Sequence, residues 1–112
     1  MAKVVTRVGA EAFDGDRLRL PGTVAVAFLA DWCPFCHAFE PEFGRLADED
    51  GATLRIADVT DDGSPLWDRF GLEVVPTVIV FRGGRPHHRE DGVPGQGLGR
   101  AALGRIRAVM RA

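Results

Sequence analysis

Few of the features that make a chain easy to classify are present in these 112 residues. There are two cysteines, one lysine and no apolar run near the roughly 20 residues that cross a bilayer. The first residues, Met1-Ala2-Lys3-Val4-Val5-Thr6-Arg7, lack the apolar stretch of a secretory leader, so the expected setting is cytoplasmic, with no membrane partner. No repeat period is visible, and the composition argues against disorder, collagen-like repeats or a fibrous protein. No aromatic-basic motif of the kind that grips nucleic acid occurs, so no nucleic-acid partner is expected. Two cysteines are too few for a disulfide framework, and in a reducing cytoplasm a structural bridge across so short a loop would make little sense. Reactive use of the thiols is the better account.

What is present suits one folded unit. With 46% apolar and 27% charged residues the chain can bury a single core, giving one expected domain over residues 1–112, a monomer. The formal charge is only −2, yet residues 1–81 hold 14 acids against 7 bases while residues 82–112 hold 2 acids against 7 arginines. A solvated helix face, with cations near a helix C-terminus, explains the basic end more simply than an anionic partner does.

Val24-Ala25-Val26-Ala27-Phe28-Leu29-Ala30 is a short continuous apolar run, as in a strand buried on both faces. Both cysteines follow it. Phe35, Ala38, Phe39, Phe43, Leu46 and Ala47 then recur at helical spacing, predicting a helix from about Pro34 to Asp48 and ending near Asp50-Gly51. Pro34 suits its first turn, and Pro41 is expected to kink it. Leu54, Ile56 and Val59 alternate as in a strand. Leu66, Trp67 and Phe70 fit a short helix ending at Gly71, and Pro76 to Phe81 read as a second buried strand. Gly83-Gly84 supplies a turn into a weaker antiparallel strand around Pro86–Glu90. Leu98, Ala102, Leu103, Ile106, Val109 and Met110 mark a last helix, although its glycines weaken the propensity. At the front, Val4 to Val8 suggest an edge strand and Ala10 to Leu18 a first helix. Strand and helix alternate, so the fold class is α/β with parallel pairing at its start.

Cys33 thus falls at a strand-to-helix junction. A thiol attacks a disulfide only as thiolate, and an ordinary cysteine holds its proton up to about pH 8.5. Unpaired N–H groups at a helix start and the positive end of its dipole favour the thiolate without any charged side chain. Cys36, one turn along, is close enough to attack a mixed disulfide formed at Cys33 and release the reduced substrate. Two cysteines buried merely as small hydrophobes would make this placement a coincidence.

Ala30-Asp31-Trp32-Cys33-Pro34-Phe35-Cys36, with Pro41 five residues after the second cysteine, resembles the active-site region of the thioredoxin family, and Val74-Val75-Pro76-Thr77 resembles its second motif. The likeness runs from Val24 through Gly83-Gly84 to the final helix. It implies a thioredoxin fold: a central mixed sheet of four to five strands flanked by about four helices. It implies a protein disulfide oxidoreductase with Cys33 and Cys36 as catalytic pair and no cofactor. Pro76 would be cis, and a substrate groove would be formed by Trp32, Pro34, Phe35, Val75, Pro76, Thr77 and the Gly92 region. Expected partners are protein disulfide substrates and a reductant such as thioredoxin reductase or glutathione.

The match has gaps. Thioredoxins usually carry Gly-Pro between the cysteines and a buried aspartate six residues before the first; here these positions are Pro34-Phe35 and Ala27, so Cys36 must rely on water or another base. The usual lysine near the third strand is replaced around Ile56 or Ala57. A Pro-aromatic pair resembles glutaredoxins, and the dipeptide tunes the potential, so the couple is expected to be more oxidising than a typical thioredoxin's. Oxidase, isomerase and glutaredoxin-like activities remain alternatives.

Three further readings use the same residues. Cys33-Pro34-Phe35-Cys36-His37 matches a c-type haem attachment pattern. Cys33, Cys36, His37 and one of His87 or His88 could ligate a metal. A thioredoxin-like domain can also be a non-catalytic adaptor. Against these stand the buried strand before the motif, the missing second cysteine pair and the intact cysteines. His37 and Asp31 are read as solvent-facing, with Asp31 slightly disfavouring a thiolate at Cys33.

Overall fold

A computed structural model describes residues 5–112, the side chains of residues 48–50 excepted. Val4, in the expected edge strand, lies outside these residues, and the strand seen there is β1 (Arg7–Val8). The central strand is β4 (Thr23–Leu29), parallel to β5 (Thr53–Asp58) and antiparallel to β6 (Thr77–Arg82). With β1 outside β5 and β7 (Arg85–Asp91) outside β6, the sheet order is β1-β5-β4-β6-β7, a mixed five-stranded sheet.

The apolar run is central because both of its faces are covered. Ala25, Ala27 and Leu29 join one core with Phe39, Phe43 and Leu46 of helix α1 (Pro34–Asp50) and Ile106 of helix α3 (Arg100–Arg111). Val24, Val26 and Phe28 join a second core with Leu66 of the short helix α2 (Leu66–Arg69) and with Phe70, Ile79 and Phe81. Alternation along an extended chain produces this division, and small alanines on the α1 side let a long helix lie close.

The expected first helix is not formed. Ala10–Ala12 make one 3-10 turn, and the chain then folds into a two-stranded hairpin of β2 (Phe13–Asp14) and β3 (Arg17–Leu18). Gly15 takes a φ of 59°, a left-handed conformation that ends any helix and turns the hairpin. The hairpin pairs Phe13 with Leu18, and Phe13 joins an aromatic cluster, its ring 5.2 Å from Phe70 and 5.8 Å from Phe81. Among the described residues three α-helices therefore flank the sheet where about four were expected.

Helix α1 runs through Pro41 and stops at Gly51, whose φ of 65° and N–H bond to the Ala47 carbonyl form a left-handed cap. Gly83 and Gly84 both have positive φ, the requirement of the tight turn between β6 and β7. Arginines, histidines and Pro86 occupy β7 and leave this sheet edge a poor template for another strand. Among the described residues no helix is long and apolar enough to cross a membrane.

Candidate active site

Strand β4 ends at Leu29, and Ala30 to Trp32 carry the chain across the top of the sheet to Cys33, the N-cap of α1. Pro34 at the first helical position has no N–H to leave unpaired. The N–H of Cys36 donates to Cys33 Sγ at 3.2 Å, so the sulfur itself caps the helix. The thiol of Cys33 in turn donates to the Val75 carbonyl at 3.5 Å. A protonated Cys33 can use the carbonyl; a thiolate is served by the amide and the helix end.

Cys36 is placed differently. It is 2% exposed and faces the core that holds Ala27 and Leu29. Loss of solvent is the main cause that pushes its thiol from an ordinary 9.0 up to about 12, with a hydrogen bond to the Cys33 side chain adding to it. The charge of Glu40, four residues on, acts in the same direction. Arg7 on β1 holds that carboxylate at 2.8 Å. Ala27 is fully buried and supplies no acid or base beside the pair.

The Val75–Pro76 peptide is cis, as the resemblance implies. Trp32, Pro34, Phe35 and Val75 line a hollow of about 290 Å³ together with Cys33. Pro76, Thr77 and Gly92 do not line it, and Gly92 lines an adjoining hollow with Val74 and Pro94. Thr77 is fully buried and its hydroxyl donates to the Val74 carbonyl at 2.9 Å, fixing the turn before the proline. Gly92 N–H donates to the Pro76 carbonyl at 2.9 Å, and a Cβ at Gly92 would lie 2.6 Å from that oxygen. A side chain there would have to displace backbone.

Several lining residues are not evident from the sequence. Trp67 carries its ring onto Trp32, with centroids 6.3 Å apart and planes 9° from parallel. Its helical spacing alone assigns it to the core side of α2. Glu73 and Val74 line the same hollow, as do Val93, Pro94 and Gly95. The last three belong to a loop that folds back through the Val93–Gly97 bridge, where Gly97 (φ 75°) would place a Cβ 3.0 Å from Phe35 Cβ. Thr60 is also a structural surprise: its hydroxyl accepts from Asp31 N–H and its carbonyl from Trp32 Nε1–H, both at 2.9 Å. Asp58 accepts from Thr60 N–H at 2.9 Å, and hydrogen bonds from Thr60 hold its carboxyl below the ordinary value.

His37 is exposed, and its Nε2 lies 2.6 Å from the Asp31 carbonyl oxygen, so it braces the loop before Cys33. His87 and His88 lie on β7 and line a separate hollow with Asp16 and Arg69, away from the two cysteines. The two sets of ligand candidates are therefore not gathered in one place.

A dithiol at the start of the helix that follows the central strand, facing a cis-proline segment, defines the class of thiol–disulfide oxidoreductases built on this sheet. The family model for thioredoxin matches residues 4–100, and the chain belongs to the thioredoxin family. Relatives include thioredoxin of Allochromatium vinosum, 31% identical over 81 residues, covering 71% of this chain and 76% of that one. Thioredoxin of Acidithiobacillus ferridurans is 29% identical over 86 residues, covering 76% and 80%. Among solved structures, the short form of spinach chloroplast thioredoxin f superposes with a TM-score of 0.78 at 20% identity, covering 99% of this chain and 96% of that one. A mutant thioredoxin from Halobacterium salinarum gives 0.67 at 27% identity, covering 82% and 77%. The protein is a thiol–disulfide oxidoreductase, and protein disulfides and a reductase are the partners its family implies.

Proposed function

We propose that this chain reduces or exchanges protein disulfides with Cys33 as the attacking thiol and Cys36 as the resolving one. The observation that supports this most directly is the Cys33 sulfur, 3.2 Å from the Cys36 amide, with Cys33 lining the same hollow as Trp32 and Val75. The Cys33 thiolate attacks one sulfur of the substrate disulfide; that S–S bond breaks, and the other half leaves as a thiolate that takes up a proton. Cys36 then loses its proton and attacks Cys33, releasing the second substrate thiol. Two electrons have passed to the substrate, and a Cys33–Cys36 disulfide remains. With Ala27 in place of a carboxylate, the Cys36 proton leaves to water or another base.

In this reading Trp32, Pro34, Phe35 and Val75 touch the substrate, while Pro76, Thr77 and Gly92 hold the groove in shape. Thioredoxin reductase or glutathione returns the couple to the dithiol, and the protein works as a monomer in the cytoplasm, where the thiol pool is reducing.

Insulin disulfide reduction by dithiothreitol tests the assignment. Wild type should accelerate it, Cys33→Ser should lose the acceleration, and Cys36→Ser should accumulate a mixed disulfide at Cys33. Equal acceleration by wild type and Cys33→Ser would overturn the roles.

A further inference from the structure

The hollow beside Cys33 carries a charge of one sign. Trp32 and Val93 are 57% and 51% exposed, the most open of the large apolar side chains described, and both line it. The two stacked indoles are fixed at their polar ends: Trp32 Nε1–H donates to the Thr60 carbonyl at 2.9 Å and Trp67 Nε1–H to the Asp61 carbonyl at 3.3 Å. Their surfaces are thus held in place beside Cys33.

Glu73 lines this hollow too. It is exposed, two residues before Val75, and pairs with none of the described basic side chains. Among the described residues no arginine or lysine lines the hollow. Arg89 on strand β7 lines an adjoining hollow with Glu73 but is engaged by Asp91 at 2.9 Å and by the Gly71 carbonyl at 3.1 Å. Arg69 lines the separate hollow with His87. Asp31 and Asp68, the chain neighbours of Trp32 and Trp67, and Asp61, whose carbonyl holds the Trp67 indole, are all exposed.

Indole surface beside an unpaired carboxylate is the chemistry that takes a cationic side chain: the apolar stem or guanidinium plane lies on the aromatic surface and the charge meets the acid. We infer that the site selects disulfide substrates carrying arginine or lysine beside the attacked half-cystine, with Glu73 and the Trp32–Trp67 pair as the specificity residues. This rests on the oxidoreductase reading and adds a substrate class to it. An acidic flank would meet Glu73 and be disfavoured.

Three disulfide-linked peptides that differ only in the residue next to the attacked half-cystine, arginine, glutamine or glutamate, provide the test. The expected order of kcat/KM is Arg, then Gln, then Glu, with the extremes differing by roughly tenfold at low salt and converging as salt rises. Glu73→Gln should shrink the spread and Glu73→Lys should reverse it. Glu73 is exposed, so neither substitution disturbs packing, and circular dichroism verifies the fold. Turnover of all three peptides with equal efficiency, or an order unchanged in Glu73→Lys, overturns the specificity and leaves the oxidoreductase reading standing. No turnover of any peptide overturns both.

Discussion

Cys33 and Cys36 differ more in their neighbours than in their exposure, 5% against 2%. A thiol held up to about 12 is ionised in only about one molecule in 10⁵ at pH 7. Iodoacetamide at neutral pH should therefore modify Cys33 and leave Cys36 intact in a peptide map. The raised value also sets a sign for stability: the unfolded thiol loses its proton first as pH rises from about 9 toward about 12, so the dithiol protein should weaken over that window. Thermal unfolding of reduced wild type against Cys36→Ala measures it, and the variant should lack that loss. The cysteine pair and its helix-start position were legible in the sequence because spacing alone determines them. The influence of Glu40 on Cys36 was not, since it depends on α1 carrying that carboxylate past the thiol.

At the scale of elements, the strands and long helices were legible where apolar spacing was regular over many residues. The Ala10–Leu18 segment shows what spacing misses. Its apolar residues suit a helix, but Gly15 and the place waiting for Phe13 among Phe28, Phe70 and Phe81 favour a hairpin. Tertiary burial outweighed a weak local preference. Phe43, fully buried between α1 and the sheet, should cost about 3–5 kcal/mol when changed to alanine, measured by urea unfolding. The α3–β7 contact has an ionic tie: Glu90 accepts from Arg105 at 2.9 Å and lies 2.7 Å from His88 Nε2. Arg105 is the chief cause that holds the Glu90 carboxyl below its ordinary 4.5. Its stabilising effect is present above that value and lost as pH falls through the lowered one. Glu90→Gln should accordingly lower Tm at neutral pH and flatten the acid limb of the stability profile.

Across the whole molecule, three of the seven arginines of the basic end make contacts inside the fold. Arg82 donates to the Val109 carbonyl at 3.0 Å near the end of α3, Arg89 pairs with Asp91, and Arg105 pairs with Glu90. The groove was half legible: Trp32, Pro34, Phe35 and Val75 lie in the two motifs, but Trp67, Glu73 and the Val93–Gly95 wall come together only through the sheet's connections. With Pro34-Phe35 between the cysteines, the couple should equilibrate with glutathione at a potential above the roughly −270 mV of a typical thioredoxin. An equal or lower value would remove that expectation. The sulfur that caps α1 is also the atom that reacts, so forming a disulfide at Cys33 changes the acceptor available to the Cys36 N–H. That single amide should serve as a built-in redox reporter, its proton resonance and its exchange with solvent expected to differ between oxidised and reduced molecules.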